Sequence, residues 1–318
     1  MPRPLPYHAV HMILVTGGTG LTGQFVVEEL LRRGHEVRVL CRTEASVRPL
    51  ADGVEIAVGD LRDRESLRRA TRGTSGIVHA ACTFTDSAID IAAMQALLAG
   101  WQTGPFVFVS SLDVYGFAGP GPITETTPVS ESYTDYSRGK VTCERLLVEA
   151  AGRSGRNDHV ALRAPYIWGP HPTARKRLVV QRLVDHQPIV LPGIDRAEWT
   201  QYQDAWIDVR DLATIVGESL ARPAGGPLNV LTGHFIWHDL YAELIRLTGS
   251  RSELVHKPLD AITDDELPRK HLYAQTWRFS GDRLERHLGP IPRRTFDATL
   301  RDTVMCTDRL DPRTRSGH

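Results

Sequence analysis

Lysine is scarce in this chain: of 38 basic residues only Lys140, Lys176, Lys257 and Lys270 are lysines, so one that falls inside a motif is a poor candidate for coincidence. Paired cysteines are missing too. Cys41, Cys82, Cys143 and Cys306 lie far apart with no C-x-x-C spacing, which argues against a disulfide framework and against a structural zinc site. Net charge is absent, with 38 acidic residues against 38 basic ones, so no field gathers nucleic acid or an anionic membrane. No stretch approaches the roughly 18 uninterrupted apolar residues of a membrane span, and the N-terminus lacks the charged-then-apolar layout of a secretory signal. These absences point to a cytoplasmic globular protein with a small-molecule substrate.

With 318 residues, 41% of them hydrophobic, the chain can bury a core for one large or two merged domains. Residues 1–11 carry three prolines and no periodicity, an expected loose extension ahead of a strand opening at Met12, itself a second candidate start. From there short β-branched runs alternate with amphipathic segments, the pattern of a parallel sheet covered on both faces. Strands are expected at Ile13–Thr16, Glu36–Leu40, Val54–Val58, Ile77–Ala81, Phe106–Ser110 and His159–Arg163. Helices are expected over Leu21–Arg33, stopped by Gly34, and over 63–72, 87–101 and 134–153. After residue 165 prolines break the alternation, so residues 166–306 form a smaller substrate-binding region, with sheet elements returning over about 206–231. The polar segment 307–318 is an expected flexible tail.

The first strand runs directly into Thr16-Gly17-Gly18-Thr19-Gly20-Leu21-Thr22-Gly23 and then a helix. A turn whose backbone must touch a pyrophosphate needs residues without Cβ, and the helix start supplies free N–H groups and a positive dipole end. The expected fold is therefore α/β, a Rossmann-type doubly wound parallel sheet with residues 12–165 as its dinucleotide-binding domain. Gly17, Gly20, Leu21, Thr22 and Gly23 are the pyrophosphate candidates. The second strand ends Leu40-Cys41-Arg42-Thr43, with no carboxylate for a ribose 2′-hydroxyl and with Arg42 sited to pair with a 2′-phosphate. NADP is thus the expected cofactor, with NAD as the alternative. Asp60, in Gly59-Asp60-Leu61, can accept from an adenine amino group or can be a turn residue, and Ala80 and Ala81 give the small side chains a cofactor needs at strand ends.

Tyr136 and Lys140 open the helix at 134 and stand one turn apart on one face. An ammonium beside a phenol stabilises the phenolate, lowers its pKa and makes it a usable acid/base. Upstream, the strand at 106–110 ends in Ser110-Ser111-Leu112-Asp113-Val114-Tyr115-Gly116, which presents a hydroxyl at the carboxyl edge of the sheet. With T-G-G-T-G-L-T-G, G-D-L, H-A-A (79–81), S-S-L-D-V-Y-G, Y-S-R-G-K, L-R-A-P-Y-I-W-G-P (162–170), W-I-D-V-R-D-L-A (206–213) and N-V-L-T-G (229–233), the chain resembles the extended short-chain dehydrogenase/reductases over about residues 12–290. That resemblance implies Ser111, Tyr136 and Lys140 as the catalytic residues, with Lys140 also reaching a nicotinamide ribose. It also implies that Pro165 and Ile167 pack by the nicotinamide, and it suggests a homodimer through helices 87–101 and 134–153.

Departures from the family pattern narrow the expected chemistry. Where a sugar dehydratase resembles T-D-E-V-Y-G, the acid position here is Leu112. Where an epimerase tends to carry an arginine for a sugar-linked diphosphate, the stretch is Asp204-Ala205-Trp206-Ile207-Asp208, and an aspartate repels a diphosphate. The family's Asn-x-x-Gly-Thr is replaced by a stretch around Asp86 and Asp90, so the proton relay differs. The resulting expectation is an NAD(P)-dependent oxidoreductase acting on a small uncharged or cationic carbonyl or alcohol, with Asp113, Trp168 and Trp206 as substrate candidates. An NAD(P)-dependent sugar or nucleotide-sugar epimerase or dehydratase is the alternative, and a non-catalytic redox sensor a second one. His234 and His238 lack a third ligand and do not suggest a metal site, and the cluster Arg175-Lys176-Arg177 reads as solvated charge.

Overall fold

The computed structural model describes residues 12–44, 53–119, 121–131, 133–171 and 173–308. The expected extension 1–11 lies outside them, as does most of the expected tail, whose first two residues end a helix. The strands are β1 (Met12–Thr16), β2 (Glu36–Cys41), β3 (Val54–Val58), β4 (Gly76–His79), β5 (Phe106–Ser111), β6 (Pro122–Ile123) and β7 (His159–Ala164). They continue as β8 (Tyr166–Trp168), β9 (Ile189–Pro192), β10 (Gln203–Asp208), β11 (Gly226–Asn229), β12 (Gly233–Ile236), β13 (Leu254–Lys257) and β14 (Arg278–Phe279). The helices are α1 (Leu21–Arg32), α2 (Arg64–Ala70), α3 (Ser87–Gly100), α4 (Asp135–Arg153) and α5 (Ala174–Val184). After them come α6 (Arg196–Trp199), α7 (Val209–Ala221), α8 (Trp237–Thr248), α9 (Asp282–Leu288) and α10 (Phe296–Asp308).

Contacts divide the chain into two units, the first comprising Met1–Gly116, Val129–Arg163 and Ala213–Leu228 and the second comprising Phe117–Pro128, Ala164–Leu212 and Asn229–His318. The first is built on a seven-stranded sheet in the order β3-β2-β1-β4-β5-β7-β11. β1 pairs in parallel with β2 and β4, β2 with β3, and β4 with β5. Strands covered on both faces should be apolar throughout, and β4, β5 and β7 are buried at every position. The core packs Leu14, Leu67, Leu97, Phe106, Phe108 and Leu147 together. Strand order reverses between β1 and β4, which opens a crevice at their carboxyl ends.

Helix starts are fixed locally by short polar side chains. Asp63 accepts from the Glu65 and Ser66 amides at α2, and Asp86 accepts from Ala88 and Ile89 at α3. Thr134 and Ser137 form a reciprocal capping box at α4. The expected strand Ile77–Ala81 is shorter than its apolar run: β4 ends at His79, and Ala80 and Ala81 lie beyond it.

The second unit contains a three-stranded sheet in which β10 runs antiparallel to β12 and parallel to β8. Two parallel pairs, β9 with β13 and β6 with β14, complete it. Within the segment 206–231, the strand Gln203–Asp208 therefore joins this small sheet, while β11 takes an edge of the seven-stranded one. Among the described residues no helix is long and apolar enough to cross a membrane.

Candidate active site

The glycine turn after β1 is shaped by two contacts that exclude a side chain. Gly17 has φ +75°, and a Cβ there would lie 2.7 Å from the Ala81 amide nitrogen, so the turn rests directly on the chain leaving β4. A Cβ on Gly23 would lie 1.9 Å from the Gly17 carbonyl oxygen, so helix α1 closes on the turn only with glycine at that place. Gly20 caps α1 with no side-chain hydrogen bond, and no acidic residue occupies the first turn. The exposed Gly20 and half-buried Leu21 and Thr22 therefore offer a positive helix end bare of its own anion. This cradle fits a pyrophosphate. Below it the Thr16 hydroxyl and His79 Nδ1 are 2.7 Å apart and tie the ends of β1 and β4 together. Burial above all, and then the Lys140 charge, pushes His79 down to about 3, so this imidazole is neutral.

The cofactor candidates of the first unit follow the carboxyl ends of β2, β3 and β4. Arg42 is exposed at the end of β2. Asp60 is half-buried and acts as a turn residue, accepting from the Arg62 amide at 2.9 Å through one carboxylate oxygen. Leu61, Ala80 and Ala81 are half-buried. Pro165 and Ile167 belong to the second unit, with Ile167 paired to Ile207 in its three-stranded sheet.

Helix α4 carries Tyr136, Lys140 and Glu144 at four-residue spacing on one face, turned toward the end of β5. The Ser111 hydroxyl bonds Tyr136 and favours its ionised form, while accepting from the Asp113 amide at 3.1 Å. Lys140 is buried; its Nζ donates to the Val109 carbonyl at 2.9 Å and lies 5.6 Å from the centre of the Tyr136 ring. Ser111, Tyr136 and Lys140 are thus brought together. The expected direction of the phenol's pKa is not what this geometry produces. Burial pushes Tyr136 well above its ordinary value, Asp113 adds to the rise, and Ser111 opposes it, so the free protein holds a protonated phenol.

One turn further along α4, sequence reasoning missed a buried ion pair. Glu144 receives the Ser110 hydroxyl at 2.5 Å and the Arg163 guanidinium at 2.7 Å, and Arg163 also donates to the Tyr115 hydroxyl at 2.7 Å. Burial works against the Arg163 charge, but Glu144 outweighs it and raises the pKa. The available signal was the position of Glu144, four residues after Lys140 in a helix whose other residues on that face are spoken for.

Other expectations are revised by burial. Trp168 and Trp206 are packed side chains, 5% and 4% exposed, with Trp206 against Phe296, so within their unit they act as core. Asp204 is buried and accepts from the Ala205 amide, so it sets no surface charge against a diphosphate. Asp208 is fully buried, held by Arg210 and by the Thr299 hydroxyl. Lys176 donates to the Ile167 carbonyl and stands over Trp168, so it is no solvated charge. His234 accepts from the Phe279 amide, whereas His238 meets His256 at 3.0 Å. Among the described residues no group of three His, Cys, Asp or Glu side chains is placed to hold a metal ion.

Comparison with known proteins agrees with this geometry. The UDP-glucose 4-epimerase of Neisseria meningitidis serogroup A is 31% identical over 206 residues, 57% of this chain and 58% of that protein. The chain therefore aligns with less than two thirds of that relative's length. Sterol demethylase protein B of Methylococcus capsulatus is 28% identical over 321 residues, 89% of this chain and 94% of that one. The solved UDP-glucose 4-epimerase of Thermus thermophilus, in complex with NAD, shares the fold at TM-score 0.76 and 24% identity over 93% of this chain and 99% of that one. The model of the NAD dependent epimerase/dehydratase family matches residues 13–230. More than half the chain is covered by that match, and the protein belongs to the NAD dependent epimerase/dehydratase family.

Proposed function

We propose that the protein is an oxidoreductase that interconverts a carbonyl and an alcohol on a small molecule, with a nicotinamide dinucleotide held by the glycine turn. The observation that carries this reading is the convergence of Ser111, Tyr136 and buried Lys140 at the end of β5, next to the strands that flank the turn. A bound dinucleotide supplies or accepts the hydride. Tyr136, protonated in the free protein, is the group that gives a proton to the carbonyl oxygen, and Ser111 holds that oxygen. Lys140 stiffens the floor through Val109 and places a positive charge beneath the phenol as it loses its proton.

Arg42 supports NADP, because an exposed guanidinium at the end of β2 suits a 2′-phosphate. NAD is supported by the family and by the Thermus relative. The roles of Pro165 and Ile167 at the nicotinamide, and pairing of two copies through α3 and α4, rest on the family resemblance. Leu112, 4% exposed where a dehydratase resembles an acid, supports carbonyl chemistry over loss of water.

Epimerisation is the second reading, favoured by the Neisseria and Thermus relatives. Net balance separates the two. A carbonyl reductase should consume NADPH or NADH in step with product across a ketone panel, whereas an epimerase should convert a sugar nucleotide with no net change in nicotinamide absorbance. Binding of dinucleotide without any conversion would contradict both and leave the sensor reading.

A further inference from the structure

Phe84 lies in the loop that leads from β4 into α3, in a left-handed conformation (φ +61°) that bulky residues seldom adopt. The residue is 69% exposed, yet the ring is stacked on Tyr136, 5.6 Å between centroids and 15° from parallel. A large apolar side chain in a strained backbone and open to solvent calls for a reason in the surroundings. Those surroundings hold it from both sides.

Upstream, the Asp90 carboxylate receives the Thr83 amide at 2.9 Å, the Thr83 hydroxyl at 3.1 Å and the Cys82 thiol at 3.3 Å, and the Cys82 sulfur in turn accepts from the Phe84 amide. Downstream, Asp86 caps α3, and both the amide and the hydroxyl of Ser87 donate to Asp135, the residue before Tyr136. A Cβ on Gly139 would lie 2.8 Å from the Ser87 Cβ, so α4 meets the start of α3 at close range. The backbone that carries the phenyl ring is therefore tied to the start of α4, one residue from the phenol.

The same bonds occupy most of the side-chain oxygens of the loop. Thr83, Thr85, Asp86 and Asp90 direct their side-chain oxygens at the loop itself or at the start of α3. What this loop offers beside Tyr136 is the open side of one aromatic ring. A polyhydroxylated substituent placed there would lose hydrogen bonds to water without gaining others, whereas an apolar ring or chain would only gain burial.

Resting on the carbonyl reading of the site, we infer that Phe84 is a specificity-determining residue: an apolar platform one ring-stack from the phenol that selects alcohols and ketones carrying an apolar, ring-bearing substituent next to the reacting carbon.

The test uses the full chain saturated with NADP or NAD, with 2-decalone as the apolar probe and dihydroxyacetone as the polar one. Affinities are read by saturation-transfer NMR and turnover by NADPH or NADH consumption. The expected result is that 2-decalone binds wild type more tightly than dihydroxyacetone. Phe84→Gly, which suits the left-handed backbone and keeps the fold, should weaken 2-decalone by about tenfold, one aromatic stack, and leave dinucleotide affinity unchanged. Phe84→Trp should retain it. Equal 2-decalone affinity in wild type and Phe84→Gly, or no 2-decalone binding to wild type, would overturn the platform. The expected binding pattern without nicotinamide consumption would leave the platform standing and remove the carbonyl reading instead.

Discussion

Two neighbouring serines end β5, and the clusters they join are built on opposite terms. Ser110 reaches a buried ion pair in which Glu144, Arg163 and Tyr115 meet at ordinary hydrogen-bond distances. Ser111 reaches Tyr136, a half-buried phenol whose ionisation is opposed by burial and by Asp113. The first cluster has matched its charges and is suited to holding β5, β7 and α4 together. The second keeps its acid protonated, because burial and Asp113 both disfavour the phenolate, and only Ser111 is bonded to it in favour of ionisation. One helix carries both, with Lys140 between them bonded to the Val109 carbonyl. Rigidity and reactivity are thus set two helical turns apart.

The inner cluster should break most expensively. Glu144→Ala leaves the Arg163 guanidinium, whose side chain is 5% exposed, without its counter-charge and should lower unfolding stability by about 3–5 kcal/mol in urea titrations. Replacing Glu144 and Arg163 together with methionine should recover most of that loss, because no lone charge remains. A double variant as unstable as Glu144→Ala would show that packing, rather than charge, dominates there.

Next in size, Gly23→Ala forces α1 away from the Gly17 carbonyl and should cost about 1–3 kcal/mol. Dinucleotide fluorescence should show weakened binding in the same variant. Retained affinity would separate the turn from the cofactor.

A smaller effect concerns the tie between β1 and β4 beneath the glycine turn. His79 is pushed down to about 3 from an ordinary 6.5, chiefly by burial, so between those values the unfolded chain binds a proton that the native one refuses. Stability is therefore present above about pH 6.5 and lost as pH falls below it, by up to about 1.4 kcal/mol per pH unit. Urea midpoints at pH 7 and pH 5 should converge in His79→Gln; an unchanged acid slope would assign the loss to carboxylates.

Smallest of all, Phe84→Gly should change stability by less than about 1 kcal/mol, since relief of backbone strain offsets a lost exposed stack. A large fall in melting temperature would show that the ring is structural.

Much of the first unit was legible because its signals are local. The glycine spacing, the apolar runs of β1, β2, β5 and β7 and the Tyr136–Lys140 interval each depend on a few consecutive residues. The Glu144–Arg163 pair was not legible, because it joins residues 19 apart on a helix and a strand whose packing no periodicity reports. Nor was the left-handed Phe84, since aromatic residues carry no turn signal of their own. The rise in the Tyr136 pKa was missed because the spacing to Lys140 is visible in sequence, whereas burial, the main cause of the rise, is not. In the second unit, Trp168 and Trp206 suit pocket lining and core packing equally in sequence, and only burial distinguishes them; the burial of Asp204 is likewise invisible there.

The proton-handling role of Tyr136 is tested most directly by mixing dinucleotide-loaded wild type and Tyr136→Phe with the same ketone and following nicotinamide consumption. Both proteins should bind the dinucleotide alike, and the variant should turn over about 100-fold to 10,000-fold more slowly. A variant that binds and consumes the dinucleotide at close to the wild-type rate would contradict the assignment.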